Sequence, residues 1–282
     1  MNKKIISNVI HLYTITIIKI MVPFIIMPYL ARVLAEEQYA VYSYMRGITT
    51  FVNLTVDYGF IYSATSKVAC YSKSRTKIQS IIQNVTGAKA VLSIVSLIIS
   101  MGVVVTNKIT RNYMDYAMLT ILSICILNLL PDYVFRGLEC MGVLSKRMIL
   151  SKTVTTGLLF ILVHSENDFI VVAELEMLNA IISLVITAHW LIKRKYFIYV
   201  KFNLHEIWYE LKDGFDYFVF TIAPSMYGAL NTIVIGNCLN AREIVYWSTS
   251  WNVVSAIMTA YLPISNAIFP SIIKSRNYSG IK

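Results

Sequence analysis

The 282-residue sequence predicts an all-α, polytopic membrane protein of about eight transmembrane helices. Three observations carry this. The chain is 57% hydrophobic and only 14% charged, against about 25% charged in a soluble domain. Its mean hydropathy is +0.63. Apolar runs of about twenty residues, the length that crosses a hydrocarbon core of roughly 30 Å, recur from end to end. Backbone hydrogen bonds in lipid must close within the segment. The runs lack the ten-residue alternation of barrel strands, so each reads as a helix.

The spans are expected at 8–30, 40–64, 85–106, 113–135, 148–164, 169–192, 214–236 and 245–270. The first is too long for the apolar core of a signal peptide and lacks a small-residue cleavage site, so it is read as retained. Pro23 interrupts it, Pro131 lies late in the fourth, and Pro224 and Pro263 fall in the last two. A proline inside a helix removes one hydrogen bond and kinks the axis. The longest polar segment, 193–213, opens with Lys193-Arg194-Lys195 and divides six spans from two. Its apolar stretch at 207–211 reads equally as an interfacial helix or a loop.

Orientation follows from the cations in alternate loops. One set of loops and termini holds eighteen Lys and Arg, with Lys152 counted there as lying within reach of its loop. The other set holds four: Arg32, Lys108, Arg111 and Arg242. The bias alternates at every loop, which supports all eight spans together and places both termini in the cytoplasm. The net charge of +10 therefore sits mostly in short loops, and nucleic acid is not the expected partner. Cys70, Cys125, Cys140 and Cys238 show neither metal-ligand spacing nor a disulfide framework. There is no P-loop, no G-x-S-x-G and no His/carboxylate cluster, so an enzyme, a cofactor and a metal are not expected.

Three cations remain inside spans: Lys19, Arg46 and Lys89. A charge at the centre of a spanning helix costs roughly 2.5–3.5 kcal/mol on insertion scales. Residues i, i+4, i+7 and i+11 share a helix face. That spacing joins Arg46, Thr50, Asn53 and Asp57; Lys89, Ser93, Ser96 and Ser100; Thr221, Ser225, Gly228 and Thr232; and Ser248, Asn252, Ser255 and Thr259. Glu176, Asn179, Ser183 and Thr187 share one side of the sixth span. Small and hydroxylated stripes also serve close helix packing, and Lys or Arg near a span end can snorkel to water. The reading that unites stripes and cations is a polar, net-positive lumen for an anionic group such as a pyrophosphate. Lys19, Arg46, Asn53 and Lys89 are its candidate substrate-binding residues. Asp57, Glu174 and Glu176 are candidates for ion coupling, although Glu174 and Glu176 near a span end also suit interfacial solvation.

Residues 23–69 read PFIIMPYLARVLAEEQYAVYSYMRGITTFVNLTVDYGFIYSATSKVA. The Pro28-Tyr29-Leu30 exit followed by Arg32 and Leu34, the Glu36, Glu37, Tyr39 turn, and Asp57-Tyr58-Gly59 resemble the N-terminal signature of Wzx-type O-antigen and polysaccharide flippases. Ala40 stands where that family often has glycine. The stretch from Tyr133 to Glu139 is similar to the family's aromatic-x-Phe-x-Gly-x-Glu segment, and Asn231, Gly236 and Phe269-Pro270 also fit. The resemblance implies a transporter of the multidrug/oligosaccharidyl-lipid/polysaccharide exporter superfamily, with two lobes around a central cavity. It implies translocation of undecaprenyl-pyrophosphate-linked oligosaccharide across the bacterial inner membrane for O-antigen or capsular polysaccharide. Partners would be that lipid-linked substrate, membrane lipids and the polysaccharide polymerase machinery. On this reading residues 1–192 form a six-helix lobe, 193–213 a basic cytoplasmic connecting loop, and 214–282 the first two helices of a second, incomplete lobe. A truncated product or fragment, active or inactive, is expected. Two alternatives stay open: a cation-coupled multidrug exporter of the same superfamily, and a membrane enzyme of glycan assembly.

Overall fold

In the computed structural model, residues 3–196 and 204–260 are described, and every regular segment among them is helical. The helices are α1 (Lys3–Val33), α2 (Glu36–Asp57), α3 (Phe60–Cys70), α4 (Arg75–Thr106) and α5 (Met114–Leu129). They continue with α6 (Asp132–Gly137), α7 (Met141–Leu162), α8 (Phe169–Lys193), α9 (Leu204–Cys238) and α10 (Ala241–Ala260). Among the described residues four helical segments are long and apolar enough to cross a membrane: Ile10–Val33, Arg75–Thr106, Arg111–Gly137 and Glu166–Lys193. The other helices carry charge within their length, as Arg46 does in α2 and Lys146, Arg147 and Lys152 do in α7.

Two expected spans are broken. The run 40–64 divides into α2 and α3, because Tyr58 (φ 45°) and Gly59 (φ 74°) are consecutive left-handed residues. Such backbone is open to glycine and strained for tyrosine. The run 113–135 stops helically at Leu129. Pro131 has no N–H to continue the ladder and adopts ψ 62°, after which α6 makes a short separate turn. By contrast α1 passes through Pro23 and Pro28 without ending. The helix at the expected fifth span, α7, begins earlier than expected, at Met141, and α9 begins at Leu204, so 207–211 is helical. The proline at 263, the Phe269-Pro270 pair and the side chains of Pro224, Thr221, Ser225, Asn231, Thr232, Asn252 and Thr259 lie outside the described residues.

Helix α2 is the axis of the bundle. It packs against α4, α5, α9 and α10, and seven consecutive residues from Tyr39 to Met45 are buried. Its neighbours are helices on most sides, which is why a stretch rich in polar groups can occupy the centre. Lipid tails are as apolar as leucine, so association here rests on close packing and interhelical hydrogen bonds. Tyr44, Ile48 and Val52 of α2 meet Tyr116 and Ile121 of α5 in the main apolar cluster. Phe60 and Val68 of α3, Ile78 and Val85 of α4, and Tyr133 and Val134 of α6 form a second. Tyr29 ties the end of α1 to the end of α7 by donating to the Val163 carbonyl at 2.6 Å.

Helices α9 and α10 are fastened to this bundle at both ends. At one end Asn107 donates to Asn237 at 2.8 Å, and the buried Ser248 bonds Ser43 at 3.1 Å. At the other Lys67 reaches Glu210 and Asp213, both at 2.8 Å. Tyr58 stacks on Phe218 with centroids 4.4 Å apart. Burial works against the Lys67 ammonium, but its hydrogen bonds to Asp213 and Glu210 prevail and hold it above the ordinary lysine value of 10.5.

Two outcomes are expected. A Cβ on Gly59 would lie 2.7 Å from the Tyr217 Cβ and 2.9 Å from the Phe218 backbone nitrogen. Gly59→Ala should therefore lower stability by about 1–3 kcal/mol, read as thermal unfolding in detergent. A raised folded-state pKa gives stability that is full below the ordinary value and lost as pH rises through the raised one. Thermal stability should thus drop as pH climbs past 10.5, and Lys67→Met should abolish that particular drop.

Candidate functional site

Helices α1, α2, α7 and α8 line a half-open cavity of about 250 Å³. Its charged lining is Lys19 from α1, Arg46 from α2, Lys152 from α7 and Glu176 from α8. Tyr42, Thr155, Thr156 and Asn179 add polar groups, and Pro23, Ile26, Leu159 and Val172 are among the apolar wall. Each helix contributes because its polar residues recur on the turn facing this space: Tyr42 and Arg46 at i, i+4, Lys152, Thr155 and Thr156 at i, i+3, i+4, and Glu176 with Asn179 at i, i+3.

The electrostatics is lopsided, three cations to one carboxylate. Ion pairs elsewhere among the described residues join other groups: Lys67 with Glu210 and Asp213, Lys89 with Asp57, and Arg147 with Asp132. Lys19 and Arg46 are exposed although they lie between helices, because their side chains open onto the cavity. The Asn179 residue is only 4% exposed, and its Oδ1 has no hydrogen-bond partner. A buried carbonyl oxygen without a donor is costly. It lies in the cavity wall, enclosed by its neighbours. Together the lining offers donors and positive charge to an anion.

The sequence candidates separate in space. Lys19, Arg46 and Glu176 share the cavity. Lys89 lies elsewhere: it is 3% exposed, donates to the Asn128 carbonyl at 3.0 Å, and sits 3.5 Å from Asp57 Oδ1 and 5.7 Å from the Tyr133 ring centroid. Asp57 is thus the neighbour of Lys89, at the last residue of α2. Asn53 and Glu174 are exposed and do not belong to the cavity lining.

Lys152 is expected in the first turns of the fifth span, within reach of its loop. It enters the cavity because α7 starts at Met141, which moves Lys152 into the helix interior. No pattern in the sequence marks that start. Arg147, assigned to a loop, is 8% exposed and grips Asp132 with two parallel bonds of 2.8 and 2.9 Å. A third bond, 3.0 Å, reaches Thr187 of α8. A fork-on-carboxylate contact of this kind is among the strong ones. It ties α6, α7 and α8 together, and the only sequence hint was Thr187 in the polar side of the sixth span.

Removing one partner of a buried ion pair costs roughly 3–5 kcal/mol, because the other charge is stranded. The Asp132 side chain is 31% exposed, which screens the effect toward the lower figure. Asp132→Ala should therefore destabilise the protein strongly in detergent unfolding. The double variant Asp132→Ala/Arg147→Met should recover a large part, since it strands no charge.

The chain matches the family model described as "Polysaccharide biosynthesis protein" over residues 5–276. It is 27% identical over 274 residues to a protein of Escherichia coli (strain K12) named "Putative O-antigen transporter", covering 94% of this chain and 64% of that protein. A protein of the same name from Shigella dysenteriae is 26% identical over 274 residues, covering 96% and 68%. The chain thus spans about two thirds of the length of these curated relatives. No solved structure matches it.

Proposed function

This chain belongs to the polysaccharide biosynthesis protein family, and from that premise we propose that it takes part in moving a lipid-linked oligosaccharide across the bacterial inner membrane. The observation that carries the proposal is the cavity inside the bundle, with Lys19, Arg46 and Lys152 around one carboxylate. Each of these charges is costly among membrane helices. A bound pyrophosphate would offset them, with Arg46 supplying forked donors and the two lysines compact charges. Glu176, the single acid of the lining, is assigned the ion-coupling role. Lys89 and Asp57 are assigned to holding the α2–α3 break, and Asn53 and Glu174 to contacts outside the cavity.

The proposal includes the topology: eight spans, both termini cytoplasmic, with α1–α8 forming a first lobe over residues 1–192. The segment 193–213 then connects to the first two helices of a second lobe, 214–282. Undecaprenyl pyrophosphate is the carrier proposed, and the polymerase machinery the expected recipient. The relatives are named transporters, and a net-positive cavity suits a cationic drug poorly, which favours this reading over the multidrug exporter.

The test is complementation in a bacterium lacking its own flippase, with surface polysaccharide and membrane insertion measured together. Arg46→Ala should reduce polysaccharide at least about tenfold at equal insertion, and Arg46→Lys should retain part of it, as loss of a bidentate contact predicts. Normal polysaccharide from Arg46→Ala would remove the cavity from the mechanism. Unchanged drug susceptibility across a panel is expected of the wild-type chain.

A further inference from the structure

Outside the cavity, one charged surface is built by tertiary contact. The N-terminal end of α4 and the C-terminal end of α8 lie side by side. Arg75 donates to the Arg194 carbonyl, and Gln79 donates to the Lys195 carbonyl at 3.0 Å. These bonds pin the chain where it leaves α8, and Lys195 turns there with φ 56°. The Arg75 guanidinium stands 5.7 Å from the Tyr196 ring centroid, and that of Arg194 stands 5.7 Å from the Trp190 ring centroid. Trp190 and Tyr196 stack on each other at 6.0 Å. Arg75, Lys193, Arg194 and Lys195 are all exposed.

Three features give this surface a chemical preference. The two segments that build it carry charge of one sign: no Asp or Glu occurs between Asp57 and Asp115, or between Glu176 and Glu206, and Glu206 of α9 meets α4 further along, at Asn84. Its position is at the membrane boundary, because α4 and α8 are both among the helices able to span. The 25 residues of α8 run about 37 Å at 1.5 Å each. That exceeds a hydrocarbon core of about 30 Å and brings its last turn to headgroup level. Its aromatics are the types that settle at that level, with an apolar body and a polar edge. The Arg side chains are held against ring faces, so they are partly ordered before any ligand arrives.

We infer that the joined ends of α4 and α8 form a headgroup site for an anionic phospholipid, in which Arg194, Lys195 and Lys193 receive the phosphate and Trp190 and Tyr196 flank the glycerol region. An anionic membrane surface attracts such cations by about 1 kcal/mol each. A fixed pair of helix ends converts that diffuse attraction into retention of one lipid. The site concerns the surrounding bilayer, so it stands whether or not the cavity carries oligosaccharide.

The test uses the full chain in nanodiscs and in detergent, with phosphatidylglycerol and phosphatidylcholine as probes and no oligosaccharide present. Native mass spectrometry of protein extracted from an equimolar mixture should show phosphatidylglycerol retained several-fold over phosphatidylcholine. Arg194→Gln/Lys195→Gln should bring that ratio to about one, whereas Lys108→Gln/Arg111→Gln, at the other end of α4, should leave it unchanged. Brominated phosphatidylglycerol should quench Trp190 more than brominated phosphatidylcholine does, measured as the difference between wild type and Trp190→Phe; this reading does not require the charge variant to fold. Equal retention of the two lipids by the wild type would overturn the inference. So would a preference that survives the Arg194/Lys195 variant, or displacement of the lipid by millimolar inorganic pyrophosphate, which would mark a site for a soluble phosphate.

Discussion

A charge placed among membrane helices must find either a partner or water, and this constraint sorts the whole interior of the bundle. Two sets of groups found partners. Lys89 is held by the Asn128 carbonyl and Asp57, and Arg147 by Asp132 and Thr187. Both are struts across helix breaks: the first joins the end of α2 to α4 and α5, the second fixes α6 against α7 and α8. Four further charges, Lys19, Arg46, Lys152 and Glu176, share a space that the helices leave open. Charges in close ion pairs therefore mark architecture, and those around the cavity are the ones on which the proposed function rests.

The same sorting explains the family-like motifs. Tyr58-Gly59 is a left-handed break, and Gly59 lies so close to α9 that a side chain would collide with Tyr217 and Phe218. Tyr29 anchors the α1 exit on Val163. Tyr133 and Phe135 are fully enclosed, Phe135 stands 4.8 Å from Trp190, and a Cβ on Gly137 would meet Val68 at 2.6 Å. These residues hold helix ends in register. The residues that line the cavity come mostly from unremarkable stretches of α7 and α8, where no short motif draws the eye.

Docking of α9 and α10 uses polar contacts at each end. Asn107, Asn237 and Tyr44 make a polar chain at one end, with Asn237 donating to the Tyr44 hydroxyl at 3.4 Å. A charge cluster around Lys67 closes the other. Lipid gives no hydrophobic drive for helix association, so polar contacts of this kind set where the two helices lie on α2 and α4. A movement of α9 relative to α2 has to break one end or the other, and the two ends differ: the hydroxyl and amide contacts are uncharged, whereas the Lys67 contacts are ionic.

By itself the sequence determined that the chain is helical and membrane-embedded. Apolar runs of spanning length, with cations crowded into alternate loops, have one physical solution in lipid. It also determined that Lys19, Arg46 and Lys89 need an explanation, since an intramembrane charge is costly wherever it falls. Tertiary structure decided which explanation each receives. Lys89 went to a partner 32 residues away in sequence, Asp57, which no helical periodicity links to it. Lys152, expected near a span end, faces the cavity from the interior of α7 because α7 begins at Met141 and packs against α1. Arg147 found Asp132 because Pro131 ends α5 and sets the short α6 beneath α7. Periodicity within one helix fixes which residues share a face; what that face meets depends on helix starts, breaks and neighbours, and those are set by contacts between segments far apart in the chain.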